Sequence, residues 1–405
     1  MTLCKRLGAS LSLVLAGLFA SVSAAADNCY ILVHGHGTEG HVKQRTNSKG
    51  QLEQPALDYW SEAYFDKYRG SDFINQLRIN GGNYGVVGYN STDEGEMPYW
   101  HDGTAGEIAR QMIEIRSGKG DGYQHENQCK ADDTFWVIAH SQGATQMMYL
   151  AGNAVPGSPY YNRAYNQFDS NTITESNQVC TGKWFWKKCK TETKTRNVAG
   201  LDDRYAVNVD FDKAITGIAA IFTTGGAITG TEGVDRLCNG SWIESLINDL
   251  FLGRECAAVR YLQTNDVYAV RNYVGTNLAA PVYTIGGYAG FPGIESASSL
   301  LLGGEDDGYI NLASQMNCSG SGKRNLYSNL KEYKTFLGIA YGSAIFSCDN
   351  DHKGTARSYN LASIYTDHDA ERNGGIMSPD YTGIPNGLNC GPGKNSAGRI
   401  AACTQ

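Results

Sequence analysis

The apolar run Thr134-Phe135-Trp136-Val137-Ile138 passes without a break into Ala139-His140-Ser141-Gln142-Gly143, which passes in turn into the helix-forming stretch from Ala144 to Ala151. A buried strand must therefore become a helix over almost no chain, which only a sharp and strained turn allows. Its apex is a serine. Ala139 and Gly143, two positions either side, are the small residues that keep strand and helix from colliding at such a turn. The geometry lifts the Ser141 hydroxyl above the strand end and aims the first amides of the helix at negative charge developing there. Ser141 is thus a candidate nucleophile in a nucleophile-elbow pattern, with Ala in the place of the first glycine.

The rest of the chain alternates strand and helix signals. Tyr30 to Val33 reads as a buried strand entering the glycine-rich loop His34-Gly35-His36-Gly37. A helical stretch around Pro55 to Leu77, a second strand at Gly85 to Tyr89 and an amphipathic helix from Thr104 to Arg116 follow. Strand character resumes at Ile215 to Thr223 and at Pro281 to Gly286, with helical stretches at Ser241 to Leu252 and around Asp266 to Tyr273 between them. Such alternation predicts an α/β architecture with a mostly parallel sheet flanked by helices. The 405 residues suffice for one large domain with insertions or for two domains, and 12 Phe, 6 Trp and 25 Tyr give ample surface to bury, which excludes a disordered chain. No heptad run, collagen-like glycine period or longer internal repeat is visible in the sequence.

Val33-His34-Gly35-His36-Gly37 together with Ala139-His140-Ser141-Gln142-Gly143 resembles the α/β-hydrolase superfamily, and within it the secreted bacterial serine lipases and esterases. The resemblance covers the sheet-forming segments, about 29–151 and 215–373. It does not cover the C-terminal tail or the insertion read at about 153–208; the predicted fold is an α/β-hydrolase domain over 27–405, with that disulfide-stapled insertion and a cap at about 232–280 following the nucleophile helix. In that family the amide after the His-Gly pair and the amide after the nucleophile form the oxyanion hole, which points here to the backbone of His36 and Gln142, roles in which side-chain identity matters little. The family's chain order is serine, acid, histidine. Asp307, in Asp306-Asp307-Gly308-Tyr309-Ile310, stands where the family's Asp precedes Gly and an apolar pair, while Asp306 and Glu305 read as surface carboxylates. His368, in Thr366-Asp367-His368-Asp369-Ala370-Glu371-Arg372-Asn373, resembles the segment in which the catalytic His opens a short acidic helix; His352 reads as an exposed loop tip.

A serine hydroxyl needs such partners, because it is almost wholly protonated at neutral pH and a free imidazole samples useless orientations. The implied activity is hydrolysis of carboxylic esters through an acyl-enzyme, without a redox cofactor. Lipid esters are the leading substrate class; short-chain esters or polyesters are the alternative, and a non-catalytic, hydrolase-like binding protein is the alternative from another class. Several of the lipases it resembles hold a structural calcium, for which Asp367, Asp369 and Glu371 are the oxygen donors at hand, although the family's spacing is not cleanly reproduced. His34, His36 and His41 do not read as a metal centre: a strand-to-loop turn aims them apart, and no nearby cysteine or well-spaced carboxylate completes a tetrahedral set. His34 reads as a brace for the loop.

Lys5 and Arg6 precede an apolar stretch from Leu7 to Val22 that ends in Ser23-Ala24-Ala25-Ala26, so residues 1–26 are expected to be a secretory signal peptide cleaved after Ala24 or Ala26. Its removal takes two cations and no anions from a net charge of −7, leaving −9, and such a surface repels nucleic-acid backbones. A secreted or periplasmic protein with no transmembrane segment follows. Ten cysteines remain after Cys4, which in an oxidising compartment suggests disulfides. Cys180/Cys189, Cys238/Cys256, Cys318/Cys348 and Cys390/Cys403 are natural sequential pairs, leaving Cys29 and Cys129 to tie two strand starts together.

The insertion reads as irregular, polar and aromatic. Within it Trp184-Phe185-Trp186, inside the Cys180/Cys189 segment, are candidate substrate-binding residues that can face a lipid or polymer surface or simply cover the sheet. Trp242, Ile243, Leu246, Ile247, Leu250 and Phe251 recur at helical spacing, which favours core over a mobile lid.

Overall fold

The computed structural model describes residues 27–36, 45–46, 52–53, 55–61, 74, 83–89, 91, 98–118, 127–158, 161–165, 172–181, 188–197, 206–208, 210–238, 259–264, 270–275, 277–287, 306–317, 335–336, 339–340, 343–344, 356–364 and 368. Its centre is a seven-stranded sheet. In chain order the strands are β1 (Asn28–Val33), β2 (Asn83–Val87), β3 (Thr134–His140), β4 (Ile218–Thr224), β5 (Asn277–Gly287), β6 (Ser343–Ala344) and β7 (Ala356–Ile364). In space they lie in the order β6-β7-β5-β4-β3-β1-β2, every neighbouring pair parallel except β6 with β7.

Alternation along the strands sends side chains into two cores, as the pleat requires. Cys29, Ile31 and Val33 of β1 join Phe135, Val137 and Ala139 of β3 on one face; Tyr30 and Leu32 join Trp136, Ile138 and Phe222 on the other. The first face is covered by α2 (Glu107–Arg116), α3 (Gln142–Asn153) and α4 (Phe211–Ile215), the second by Ala56 and Trp60 of α1 (Pro55–Ser61). All 12 residues of α3 are buried, which is why its sequence shows no polar face. Two shorter helices, α5 (Glu232–Cys238) and α6 (Leu312–Gln315), follow β4 and β5.

This strand order places a switch point at β1 and β3: the connection after β1 runs outward to β2, and the chain then crosses back over β1 to β3. Loops leaving the carboxyl ends of β1 and β3 diverge there and open a crevice, the usual ligand position in open α/β sheets. Val33 stands beside Ala139, and His140 beside Thr224, so these strand ends are level and His34-Gly35-His36 and Ser141 emerge at one edge.

Several local readings change. The helix expected from Thr104 to Arg116 is present as α2 from Glu107 and is entered through a π-turn, Asp102–Gly106, capped by His101. Ile215 belongs to α4, not to a strand; Gly217, with φ +86°, makes the break before β4 begins at Ile218. The strand read as Pro281 to Gly286 starts at Asn277, inside the range assigned to the cap. Only Val270–Tyr273 of the helix read around Asp266 to Tyr273 is helical among the described residues, as a 3₁₀ turn. The insertion read as irregular contains an antiparallel hairpin of two ten-residue strands, Thr172–Thr181 with Lys188–Asn197, and a second pairing of Arg163–Tyr165 with Ala206–Asn208. The segment read as a signal peptide, Trp184 to Trp186, Ser241 to Leu252, His352 and the acidic residues around His368 lie outside the described residues. No helix among the described residues is long and apolar enough to cross a membrane.

Cys29 and Cys129 form a disulfide with Cα atoms 5.5 Å apart, tying the start of β1 to the approach to β3. Cys180 and Cys189 stand opposite one another in the hairpin register, and Cys238 is disulfide-bonded. The Cys29–Cys129 bond closes a separation of 100 residues. Its loss through Cys129→Ser is expected to cost about 2–4 kcal/mol, read as a lowered urea midpoint.

Candidate active site

Ser141 sits between β3 and α3 with φ 54° and ψ −125°, in the left-handed region that non-glycine residues rarely occupy. The strain, of order 1–3 kcal/mol, is held from both sides. The Ser141 amide donates to the Thr224 carbonyl at 2.8 Å, and its own carbonyl accepts from Ala144 at 3.0 Å to start the helix. Close packing makes two glycines necessary. A Cβ on Gly143 would lie 2.3 Å from the His34 carbonyl oxygen, and one on Gly35 would lie 2.6 Å from Cβ of Ser141. The loop after β1 therefore presses directly on the nucleophile turn.

The sequence-selected residues converge on that turn. His368 Nε2 is 2.9 Å from Ser141 Oγ, and His368 Nδ1 is 2.6 Å from Asp307 Oδ2, across separations of 227 and 61 residues. Asp307 is fully buried; its other oxygen accepts from the amides of Tyr309 at 2.9 Å and Ile310 at 2.8 Å. Gly308, at φ +102°, supplies the turn that brings those amides round. Asp306 is also fully buried rather than on the surface, with one oxygen accepting from Gly308, so its carboxylate serves its own loop. An imidazole between a buried carboxylate and a hydroxyl carries its proton on Nδ1 and offers Nε2 as the acceptor.

The side chains of His36 and Gln142, read above as immaterial, are joined: His36 Nδ1 lies 3.0 Å from Gln142 Oε1, and Gln142 Nε2 donates to the Tyr261 hydroxyl. Tyr261, beyond α5, has no local sequence signal for this contact. Gln142 is the first residue of α3, so its amide stands at the helix N-terminus beside Ser141, and the side-chain bond ties the loop after β1 to that end. His34 braces the same loop. Its Nδ1 donates to the Gly35 carbonyl at 2.8 Å, Nε2 accepts from the Tyr89 amide at 3.2 Å, and its ring stacks on Tyr89 with centroids 4.4 Å apart.

The chain has the α/β-hydrolase fold. A parallel sheet, a positive-φ serine between strand and helix, an acid after β5 and a histidine after β7 define it. No protein-family model matches the chain, and no curated protein matches it. Among solved structures it is similar to the lipase BlEst2 of Bacillus licheniformis in its propeptide form, at 13% identity and a TM-score of 0.45, over 88% of this chain and 49% of that one. It thus spans about half the length of that protein. It is also similar to lipase 1 of Pelosinus fermentans, at 12% identity and a TM-score of 0.41 over 90% and 97% of the two chains, and to EstA of Clostridium botulinum, at 13% identity and 0.41 over 87% and 83%.

Burial, helped by nearby His36 and opposed by the hydrogen bonds with Gly35 and Tyr89, pushes the His34 imidazole down to about 4 from an ordinary value of 6.5. The native state then refuses a proton that the unfolded chain binds between pH 6.5 and 4. Stability consequently falls as pH drops through that window, by on the order of 3 kcal/mol, and this contribution is complete near pH 4. The expected observation is an NMR ring signal for His34 that does not titrate between pH 8 and 5 in the folded protein; a midpoint near 6.5 would contradict it.

Proposed function

We propose that this chain is an exported serine hydrolase of carboxylic esters, with Ser141 as nucleophile, His368 as general acid and base, Asp307 as its orienting acid, and the amides of His36 and Gln142 as oxyanion donors. The observation that carries the reading is the hydrogen-bonded chain Ser141–His368–Asp307, at 2.9 and 2.6 Å, ending on a strained serine at a helix N-terminus.

In this reading Ser141 Oγ attacks the ester carbonyl carbon while its proton passes to His368 Nε2. The oxyanion that forms is held by the two amides. Collapse breaks the bond to the alcohol oxygen, which takes the proton back from His368, and leaves an acyl-serine. Water then gives a proton to His368 as it attacks the acyl carbon, and collapse breaks the bond to Ser141 Oγ, which takes that proton back from His368 as the acid leaves. Asp307 stays ionised throughout, stabilising the imidazolium. Lipid esters are the substrate class we favour, on the strength of Trp184-Phe185-Trp186 in the sequence between the hairpin's strands.

A fluorophosphonate probe is expected to label the disulfide-intact protein at Ser141, mapped by peptide mass, and p-nitrophenyl esters are expected to be hydrolysed. Absence of labelling sinks the reading. A series of acyl chain lengths, run below and above each substrate's solubility limit, tests the substrate class: a rate jump only above the limit supports lipid esters, and a smooth profile favours soluble short-chain esters.

A further inference from the structure

The residue before the nucleophile is a histidine to which the mechanism assigns no task. His140 is buried, and both its ring nitrogens are engaged: Nδ1 with the Tyr59 hydroxyl at 2.5 Å, Nε2 with the main-chain carbonyl of His368 at 2.9 Å. These two bonds require one another. A carbonyl carries no proton, so the bond to it needs Nε2–H; a neutral ring then has a bare Nδ1, which the Tyr59 O–H fills as donor. Tyr59 thereby selects the tautomer of His140, as Asp307 selects that of His368.

His368 is held at three atoms as a result. Its amide donates to the Asp307 carbonyl at 2.8 Å, its Nδ1 meets Asp307 Oδ2, and its carbonyl accepts from His140. Two of these ties come from the acid's segment. The third comes from β3, one residue before Ser141, with the rings of His140 and His368 4.6 Å apart. The gap between Nε2 of His368 and Oγ of Ser141 is therefore fixed from the nucleophile's own strand. Resting on the triad proposed above, we infer that His140 and Tyr59 are positioning residues that hold the base in register with the serine through the His368 carbonyl. A histidine that merely filled space would be replaced equally well by any side chain of similar volume.

The test compares the full, disulfide-intact chain with His140→Leu, His140→Gln, Tyr59→Phe and the double variant His140→Leu/Tyr59→Phe, reading fluorophosphonate labelling rate and p-nitrophenyl butyrate kinetics. His140→Leu is expected to lower labelling rate and kcat by roughly 10- to 100-fold with KM little changed, the cost of a slightly misplaced base. His140→Gln is expected to recover most of that, since its amide can donate to the carbonyl and accept from Tyr59. Tyr59→Phe is expected to cost about fivefold alone and nothing further in the His140→Leu background. A folded His140→Leu labelled at the unmodified rate, or a glutamine no better than leucine, overturns the inference. So does a Tyr59→Phe effect that multiplies with that of His140→Leu, which would mean Tyr59 acts through Gly35, whose added Cβ would lie 2.4 Å from its hydroxyl. If His140→Leu does not fold, Tyr59→Phe and His140→Gln decide the matter: an unchanged rate in Tyr59→Phe overturns it. Failure of the unmodified protein to label sinks the hydrolase reading together with this one, whereas labelling that all variants retain sinks this one alone.

Discussion

Replacing Ser141 by alanine is expected to lower kcat/KM for p-nitrophenyl butyrate by at least about four orders of magnitude while leaving the thermal midpoint little changed. Alanine keeps the Cβ and with it the strain at φ 54°, so the turn stays intact and only the hydroxyl's bond to His368 is lost. The more informative partner is Asp307→Asn. Oδ1 of Asp307 accepts from the amides of Tyr309 and Ile310, so an asparagine there keeps its carbonyl oxygen on those donors. Its NH₂ is then forced into the Oδ2 position, facing His368 Nδ1. An NH₂ in that place donates rather than accepts, so the imidazole moves its proton to Nε2 and can no longer take one from Ser141. A loss of about 10⁴ in kcat at neutral pH is expected with the fold retained, measured beside circular dichroism. An Asp307→Asn enzyme within tenfold of the unmodified rate would show that the carboxylate is not the orienting acid.

What was legible in the sequence follows distance along the chain. The turn at Ser141 is written in consecutive residues, because strand, apex and helix are each local, and its small neighbours announce the packing. The acid loop is local too: Asp307-Gly308-Tyr309-Ile310 contains both the carboxylate and the amides that hold it. β7 escaped notice, since Ala356-Arg357-Ser358-Tyr359-Asn360-Leu361-Ala362-Ser363-Ile364 has neither strict alternation nor a continuous apolar run, and its place is set by pairing with β5. Contacts between distant segments gave no signal at all. Tyr59 lies 81 residues from His140, and Gln142 lies 119 from Tyr261, and nothing in either stretch marks the other. The same distance effect applies to His36 and Gln142: their backbone roles are legible locally, whereas the bond between their side chains joins segments 106 residues apart.

Gly143→Ala should be severely damaging. Helix propensity alone would favour alanine here by about 1 kcal/mol, since Gly143 lies in the first turn of α3. The space says otherwise. The added Cβ would meet the His34 carbonyl oxygen at 2.3 Å, the Val33 carbonyl oxygen at 2.7 Å and the His34 carbonyl carbon at 3.1 Å, all backbone at the end of β1. None of these is the tip of a flexible side chain, so the helix start must swing away from the strand and carry Ser141 and Gln142 with it. A cost of roughly 4–5 kcal/mol is expected, or failure to fold, together with loss of fluorophosphonate labelling in whatever does fold. Gly157→Ala is the control that separates space from backbone conformation. Its φ of +87° strains any side chain, yet nothing lies within 4 Å, so only about 1 kcal/mol should be lost and labelling should persist. If instead Gly143→Ala melts within about 2 °C of the unmodified protein, α3 is not pressed onto β1, and an oxyanion pocket formed between the His36 and Gln142 amides loses its physical basis.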